Sequence, residues 1–279
     1  MKTYKYSSAL FTAIIVLFSV ILSSCAKEEL VDPPKVILTT DWTNRTEGVV
    51  IPSAYTVAIN NQELTYSTVS NTLPQLDAGI YPVSIYNAAD KITIDGTSAK
   101  VSTFGSVVDA KPEYLFYSQL DIEFENDKEK AVTAVMQQQV RLLNIELTIT
   151  DGDIGNIESV SASLSGVANT MNLKDGTYSG TGLKVEPVFA QSGNKLNASV
   201  RLLGLTSEAQ ELTLDIVYKS GNTQQIVSDV STLLANFNKD KHLPITLKSE
   251  AQIFTVIEVQ TTIKAWEVQG TINDNTEIQ

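Results

Sequence analysis

The chain has 279 residues, 43% of them hydrophobic, with a formal net charge of −12. That is enough apolar material for one large or two ordinary domains, and the acid excess argues against a nucleic-acid partner or a basic membrane-binding face. One Cys excludes an internal disulfide; one His leaves no zinc ligand set and almost no material for a serine or cysteine triad.

The first segment is an address. Lys2 and Lys5 precede the apolar run Ala9 to Leu22, with no acid before Cys25. That run is short for a spanning helix of about 20 residues and reads as the core of a signal peptide over 1–24. Leu22-Ser23-Ser24-Cys25 follows. It resembles a bacterial lipobox, in which the Cys receives fatty acyl chains such as palmitate and becomes the mature N-terminus. Two or three chains anchor stably where one is marginal, at ~0.8 kcal/mol per buried CH₂. Lys27-Glu28-Glu29 is similar to the surface-export signal of Bacteroidetes lipoproteins; the plain alternative is a solvated spacer. Residues 25–34 form a lipidated linker, stiffened by Pro33-Pro34.

From Lys35 onward the hydrophobic period is two, the period of strands. Lys35 to Trp42 reads as the first strand. Ala54 to Asn60 and Gln62 to Thr68 read as a hairpin turning at Asn60-Asn61. Ile80 to Tyr86, Ile92 to Ile94, Lys100 to Phe104 and Tyr114 to Phe124 follow, separated by Asp77-Ala78-Gly79, Asp95-Gly96 and Lys111-Pro112. Asn126 to Gln139 reads as a connection carrying a turn of helix, so a first sandwich is expected over 35–130 and a second over 131–279. The second opens with Val140 to Ile149, ended by Asp151-Gly152. Strands are then expected at Ile157 to Leu164, Leu183 to Phe189, Lys195 to Leu203, Glu211 to Tyr218 and Thr223 to Val227.

Ser228 to Phe237 has helical spacing, with Val230, Leu233, Leu234 and Phe237 on one face and Ser228 and Asp229 as caps. The last strand is expected to run from Ile253 to Ala265, apolar and polar residues alternating, with Trp266 packed over a sandwich edge and Gly270 to Gln279 a polar tail. The whole reads as all-β.

Three stretches carry a resemblance. GlnValArgLeuLeuAsnIleGluLeuThrIle from Gln139, the segments Ile157 to Val160 and Leu164 to Ala168, and Met171 to Gly176 are similar to the second domain of Bacteroidales fimbrillin-like proteins. Phe237 to Leu247 resembles their C-terminal segment, and Val36 to Trp42 their first strand. The family includes major fimbrial subunits and FimB-type anchor or minor subunits. The resemblance implies two tandem transthyretin-like β-sandwich domains, lipoprotein export, and assembly with other fimbrial subunits by strand donation. An incomplete sandwich exposes unpaired backbone groups, and an extended segment of a neighbour fills the groove. Shaft subunits of the family are cut by a trypsin-like protease after a basic residue near the N-terminus; anchors keep their lipid.

Two readings of the alternating strand stay open. It is either a donor strand presenting Ile253, Ile257, Val259 and Ile263, or the strand that completes its own domain. Arg45, in the loop after the first strand, is either a processing site or an ordinary loop residue.

No motif is catalytic: a phosphate loop and a GxSxG elbow are both missing. Asp151-Gly152-Asp153 fails as a calcium loop, because its Gly and third ligand are out of order, and reads as a turn. His242 reads as a surface residue in a Lys-rich turn. A non-enzymatic fimbrial anchor or accessory subunit on the outer membrane, without cofactor or metal, is therefore expected. The second functional class is a surface glycan-binding lipoprotein of a nutrient-uptake system. An exposed coplanar aromatic pair would favour it; Trp42 and Trp266 fall at strand ends and Tyr55, Tyr66, Tyr81, Tyr86, Tyr114 and Tyr117 mostly within strands, which weakens this reading.

Overall fold

A computed structural model describes residues 33–254 and 260–269. The described chain is strand and turn throughout, apart from one 3-10 turn at Ile154–Asn156. Two clusters of buried side chains organise it.

The first core lies between a three-stranded and a five-stranded sheet. In the smaller sheet, Lys35–Asp41 sits between Glu129–Val135, to which it is parallel, and Ser70–Thr72, to which it is antiparallel. The larger sheet runs in the order Gln137–Gln138, Phe116–Phe124, Gly79–Tyr86, Tyr55–Ile59, Gln62–Tyr66. Alternate residues of both sheets point inward, among them Val36, Leu38, Val57, Ile59, Val83, Ile85 and Phe124. This is the period-two burial that the sequence shows. The expected hairpin turn is present: Asn60 and Asn61 both take positive φ, 47° and 58°, and Ile59 faces Gln62. Asn tolerates that left-handed region, and two such residues in succession match the right-handed twist of a hairpin.

The second core is built on Arg141–Asp151, which lies between antiparallel Lys195–Leu202 and parallel Ile245–Phe254. The facing sheet includes Thr223–Asp229, Glu211–Tyr218 and Ile157–Ser165. Leu143, Ile145, Leu147, Val200, Leu212, Leu214 and Leu247 fill the space between them. Gly152 closes the Arg141–Asp151 strand at φ +81°, where an added Cβ would stand 2.2 Å from the carbonyl oxygen of Ile253. Only Gly accommodates both constraints.

Several expectations are corrected. The 130/131 boundary falls inside the strand Glu129–Val135, and the first core continues to Met136. Its Asp-Lys-Glu-Lys charges sit at an edge, where they form exposed pairs such as Lys130 with Glu123 (3.1 Å) instead of starting a helix. Part of the first half also belongs to the second core. Ile92–Asp95 and Ser98–Val101 join a sheet with Thr170–Asn172, and Ala99, Val101 and Val108 are buried among second-core residues.

Leu183 to Phe189 is a strand only at Lys184–Val185, because Pro187 cannot donate to a ladder. Ser228 to Phe237 is not a helix. Thr223–Asp229 is strand, and successive turns follow. Val230, Leu234 and Phe237 are buried as their spacing suggests, but Asp229 Oδ1 accepts from Ser231 N (2.9 Å) in a tight turn. Downstream carbonyls are drawn to Arg141 rather than to the amides of a helix. Finally, Ile253 to Ala265 is not one strand. Ile245–Phe254 and Gln260–Ile263 pair antiparallel, with Ile253 opposite Thr261 and Ala251 opposite Ile263.

Candidate functional site

The first strand is a filling strand. Val36, Leu38 and Thr40 point into the first core, and Trp42 closes its end, its Nε1 donating to Thr40 Oγ1 at 2.9 Å. The strand's backbone is bonded on both sides: Leu73 N donates to Val36 O (2.9 Å), Thr40 N to Val69 O (2.9 Å) and Met136 N to Asp41 O (2.8 Å). Without it, Glu129–Val135 and Ser70–Thr72 would each lose their only partner in that sheet. An incoming extended segment would find there a groove of free amides and carbonyls over an apolar floor.

The loop after this strand is clamped at the junction of the two cores. Arg45 is half-buried, its Nη1 donating to Trp42 O (2.5 Å) and its Nε to Val49 O (3.1 Å). Thr46 is buried; its N–H donates to Gln138 Oε1 (2.8 Å) and its Oγ1 to His242 O (2.8 Å). Gln138, 4% exposed, is the hub: its Nε2 lies within 2.9 Å of Thr46 Oγ1, Val140 O and Lys241 O. A protease must hold the residues around its scissile bond extended. The Arg45–Thr46 bond is instead tied to two other segments. His242, expected at the surface, is half-buried here and serves through its backbone carbonyl.

Two buried basic side chains stand behind this hub. The Arg141 guanidinium donates to four carbonyls, those of Leu243 (2.6 Å), Asn236 (3.0 Å), Phe237 (2.8 Å) and Lys239 (2.7 Å), and lies over the Phe237 ring at 5.5 Å. It thereby fixes the whole 236–243 turn, and burial lowers its pKa. Lys241 donates to Gln139 O (2.9 Å) and Leu203 O (2.8 Å), and burial, helped by the Arg141 charge, pushes its amine down to about 7.

Other sequence-derived candidates fall elsewhere. Cys25, Lys27, Glu28 and Glu29 lie outside the described residues, as do Ile257 and Val259. Ile253 is buried in the second core, and Ile263 packs against it from the neighbouring strand. Thr261 is fastened across to the facing sheet: Gln224 Oε1 accepts from Thr261 N (2.6 Å), Gln224 Nε2 donates to Thr261 O (2.8 Å), and the Tyr218 and Thr261 hydroxyls lie 2.6 Å apart. Within the described residues, Ile253 and Ile263 thus pack on the second core of this chain.

Asp153 caps its 3-10 turn through Gly155 N (2.7 Å), and no group of three metal-ligating side chains occurs among the described residues. The close ring pairs among the described residues are edge-on or tilted: Trp42 with Tyr55 and Phe116, Tyr55 with Tyr66, and Tyr81 with Phe124. Trp266 is buried in the second core.

The family of fimbrillin-A associated anchor proteins Mfa1 and Mfa2 matches residues 43–271, most of the chain. The protein belongs to the Mfa2 family. The fold agrees. The fimbrial anchor protein Mfa2 from Porphyromonas gingivalis superposes with a TM-score of 0.57 at 13% identity, covering 85% of this chain and 98% of that one. A candidate adhesin from Bacteroides ovatus gives 0.58 at 15% identity, over 85% and 90%. Candidate polysaccharide-binding proteins from Bacteroides thetaiotaomicron give 0.54 at 10% identity, over 87% and 99%. No curated sequence matches closely enough to count as a relative.

Gln138, Thr46, Arg141 and Lys241 were not singled out by the sequence reading. Arg141 had a signal: it shares parity with the inward residues Leu143, Ile145 and Leu147, so a charge was placed on the core face. For this Mfa2-family chain that charge orders the turn on which the junction rests.

Proposed function

We propose that this protein is a non-enzymatic, outer-membrane anchor or accessory subunit of a fimbrium, held by acylated Cys25 and joined to other subunits by strand complementation. Two tandem transthyretin-like sandwiches would form the body. The observation that carries the anchor reading is the clamped Arg45–Thr46 bond. Cutting there would excise Lys35–Asp41 and open the first sheet, and Gln138 and His242 hold Thr46 away from a protease. A chain that keeps its first strand also keeps whatever lipid precedes it. Lys27-Glu28-Glu29 would send the anchored protein to the outer surface.

Membrane fractionation tests the reading. Wild-type protein should sediment with outer membrane and be shaved from intact cells by external protease. Cys25→Ala should move it to the soluble fraction. Equal membrane retention of both forms would refute lipid anchoring. Replacing Lys27, Glu28 and Glu29 by Ala should protect the protein from shaving; equal digestion would reduce that tripeptide to a spacer.

A further inference from the structure

A chain that keeps Lys35–Asp41 has the groove of its first sheet already filled, so a neighbouring subunit's strand needs another edge. Glu129–Val135 supplies one. It is the end strand of that sheet, bonded to Lys35–Asp41 on one side and to no described strand on the other. Parity fixes which groups are left over. Lys35 N donates to Lys128 O (3.1 Å) and Met136 N to Asp41 O (2.8 Å). The even-numbered residues of the strand therefore turn their amides and carbonyls toward Lys35–Asp41, and Glu129, Ala131, Thr133 and Val135 turn theirs outward. Among the described residues, none of these four has a main-chain partner on that side. The preceding strand, Phe116–Phe124, lies in the other sheet of the first core and forms no ladder with this edge.

Edge strands are commonly blunted by proline, bulges or inward charges. Glu129–Val135 has no proline and pairs with Lys35–Asp41 in unbroken register. Its one lysine, Lys130, is drawn to Glu123 (3.1 Å) in an exposed pair, a kind that holds weakly in water. The middle of the edge, Ala131 to Ala134, is small and uncharged. Resting on the fimbrial reading above, we propose that this edge receives an extended segment of a neighbouring fimbrial subunit, added beside Glu129–Val135 while Lys35–Asp41 stays in place. Main-chain bonds to the four outward residues supply affinity, and side chains on alternate positions supply specificity. The segment's core-facing side chains meet Val132 and Ala134 and are apolar. Asp121, Glu123 and Glu129, against Lys130 alone on the two strands, disfavour acids in it.

The full chain with its anchor, in detergent, is mixed with fimbriae sheared from the same cells. Amide hydrogen exchange is read by mass spectrometry with and without them. In the bound protein the amides of Ala131 and Thr133 should exchange roughly tenfold more slowly, with Lys35–Asp41 unchanged. Thr133→Pro removes an outward N–H and spares the ladder to Lys35–Asp41, so it should weaken fimbria binding about tenfold without shifting the melt. Thr133→Lys, which only adds a charge to the edge, should also weaken binding and replaces the proline variant if that one unfolds. Binding without slowed exchange at Glu129–Val135 would overturn the edge site and leave the assembly reading standing. So would undiminished binding by a folded variant, or faster exchange at Lys35–Asp41, the mark of a neighbour that replaces the first strand. Folded wild type that binds no fimbriae would overturn the assembly reading and the edge site with it.

Discussion

Each core has a leading strand that runs parallel to a late strand, yet the two leading strands are held differently. Lys35–Asp41 has seven residues, and one of its two neighbours is paired over only three positions. Its side-chain fastening to its parallel partner is the exposed pair Lys35–Glu129, a kind worth little in water. Arg141–Asp151 has eleven residues, long neighbours on both sides, and a buried guanidinium with four carbonyl partners at its start. The second strand is therefore a permanent spine. The first is the strand whose place an equivalent extended segment could take at least cost.

Three substitutions sharpen that contrast. Arg141→Ala leaves the turn carbonyls of residues 236–243 without their donor and should cost about 3–5 kcal/mol, as removing one side of a buried charged contact does. Calorimetry of the variant should show the loss in unfolding of the second core. An unchanged melt would mean that the turn is held by packing alone. Leu38→Ala opens a cavity under the first strand and should cost about 2–4 kcal/mol, confined to the first core. Loss of both transitions together would make the two cores one cooperative unit and break the comparison.

Gln138→Ala should cost about 1–3 kcal/mol, the usual range for stranding buried polar partners. It should also expose Arg45–Thr46 to trypsin in an otherwise folded protein. N-terminal sequencing of the fragments reads this directly, and equal resistance of wild type and variant would remove the clamp from the account.

The effect that builds most gradually is on pH. The Lys241 amine is lowered to about 7 in the folded chain, against 10.5 when unfolded. Below 7 both states bind the proton, and the burial penalty is present in full. Between the two values the unfolded state binds more protons, so stability rises with pH. Wild type should gain on Lys241→Met across pH 7 to 9.5, by at most about 1.4 kcal/mol per pH unit. A constant difference across that window would show that Lys241 does not titrate there.

Much of this fold was legible because strands alternate. The inward set of the first strand and the Asn60-Asn61 turn could both be read from residue type. The last region could not, for a geometric reason. Every pair in the Ile245–Phe254 and Gln260–Ile263 hairpin joins residues of the same parity, such as Ile253 with Thr261. The odd-numbered residues of the two paired strands thus lie on one face, and the sequence alternation reads as if the strand had not turned. Glu129–Val135 was hidden by charges that an edge strand tolerates. The junction was less legible still. Thr46, Gln138 and Lys241 lie far apart in sequence, and their roles arise only where the chain brings them together.

The measurement that bears most directly on the account is the N-terminus of the protein recovered from native outer membranes, read by intact-mass and peptide mass spectrometry. The account predicts acylated Cys25 followed by an uncut chain through Arg45 and Thr46. A mature protein beginning at Thr46, without lipid and without the Lys35–Asp41 strand, would contradict it.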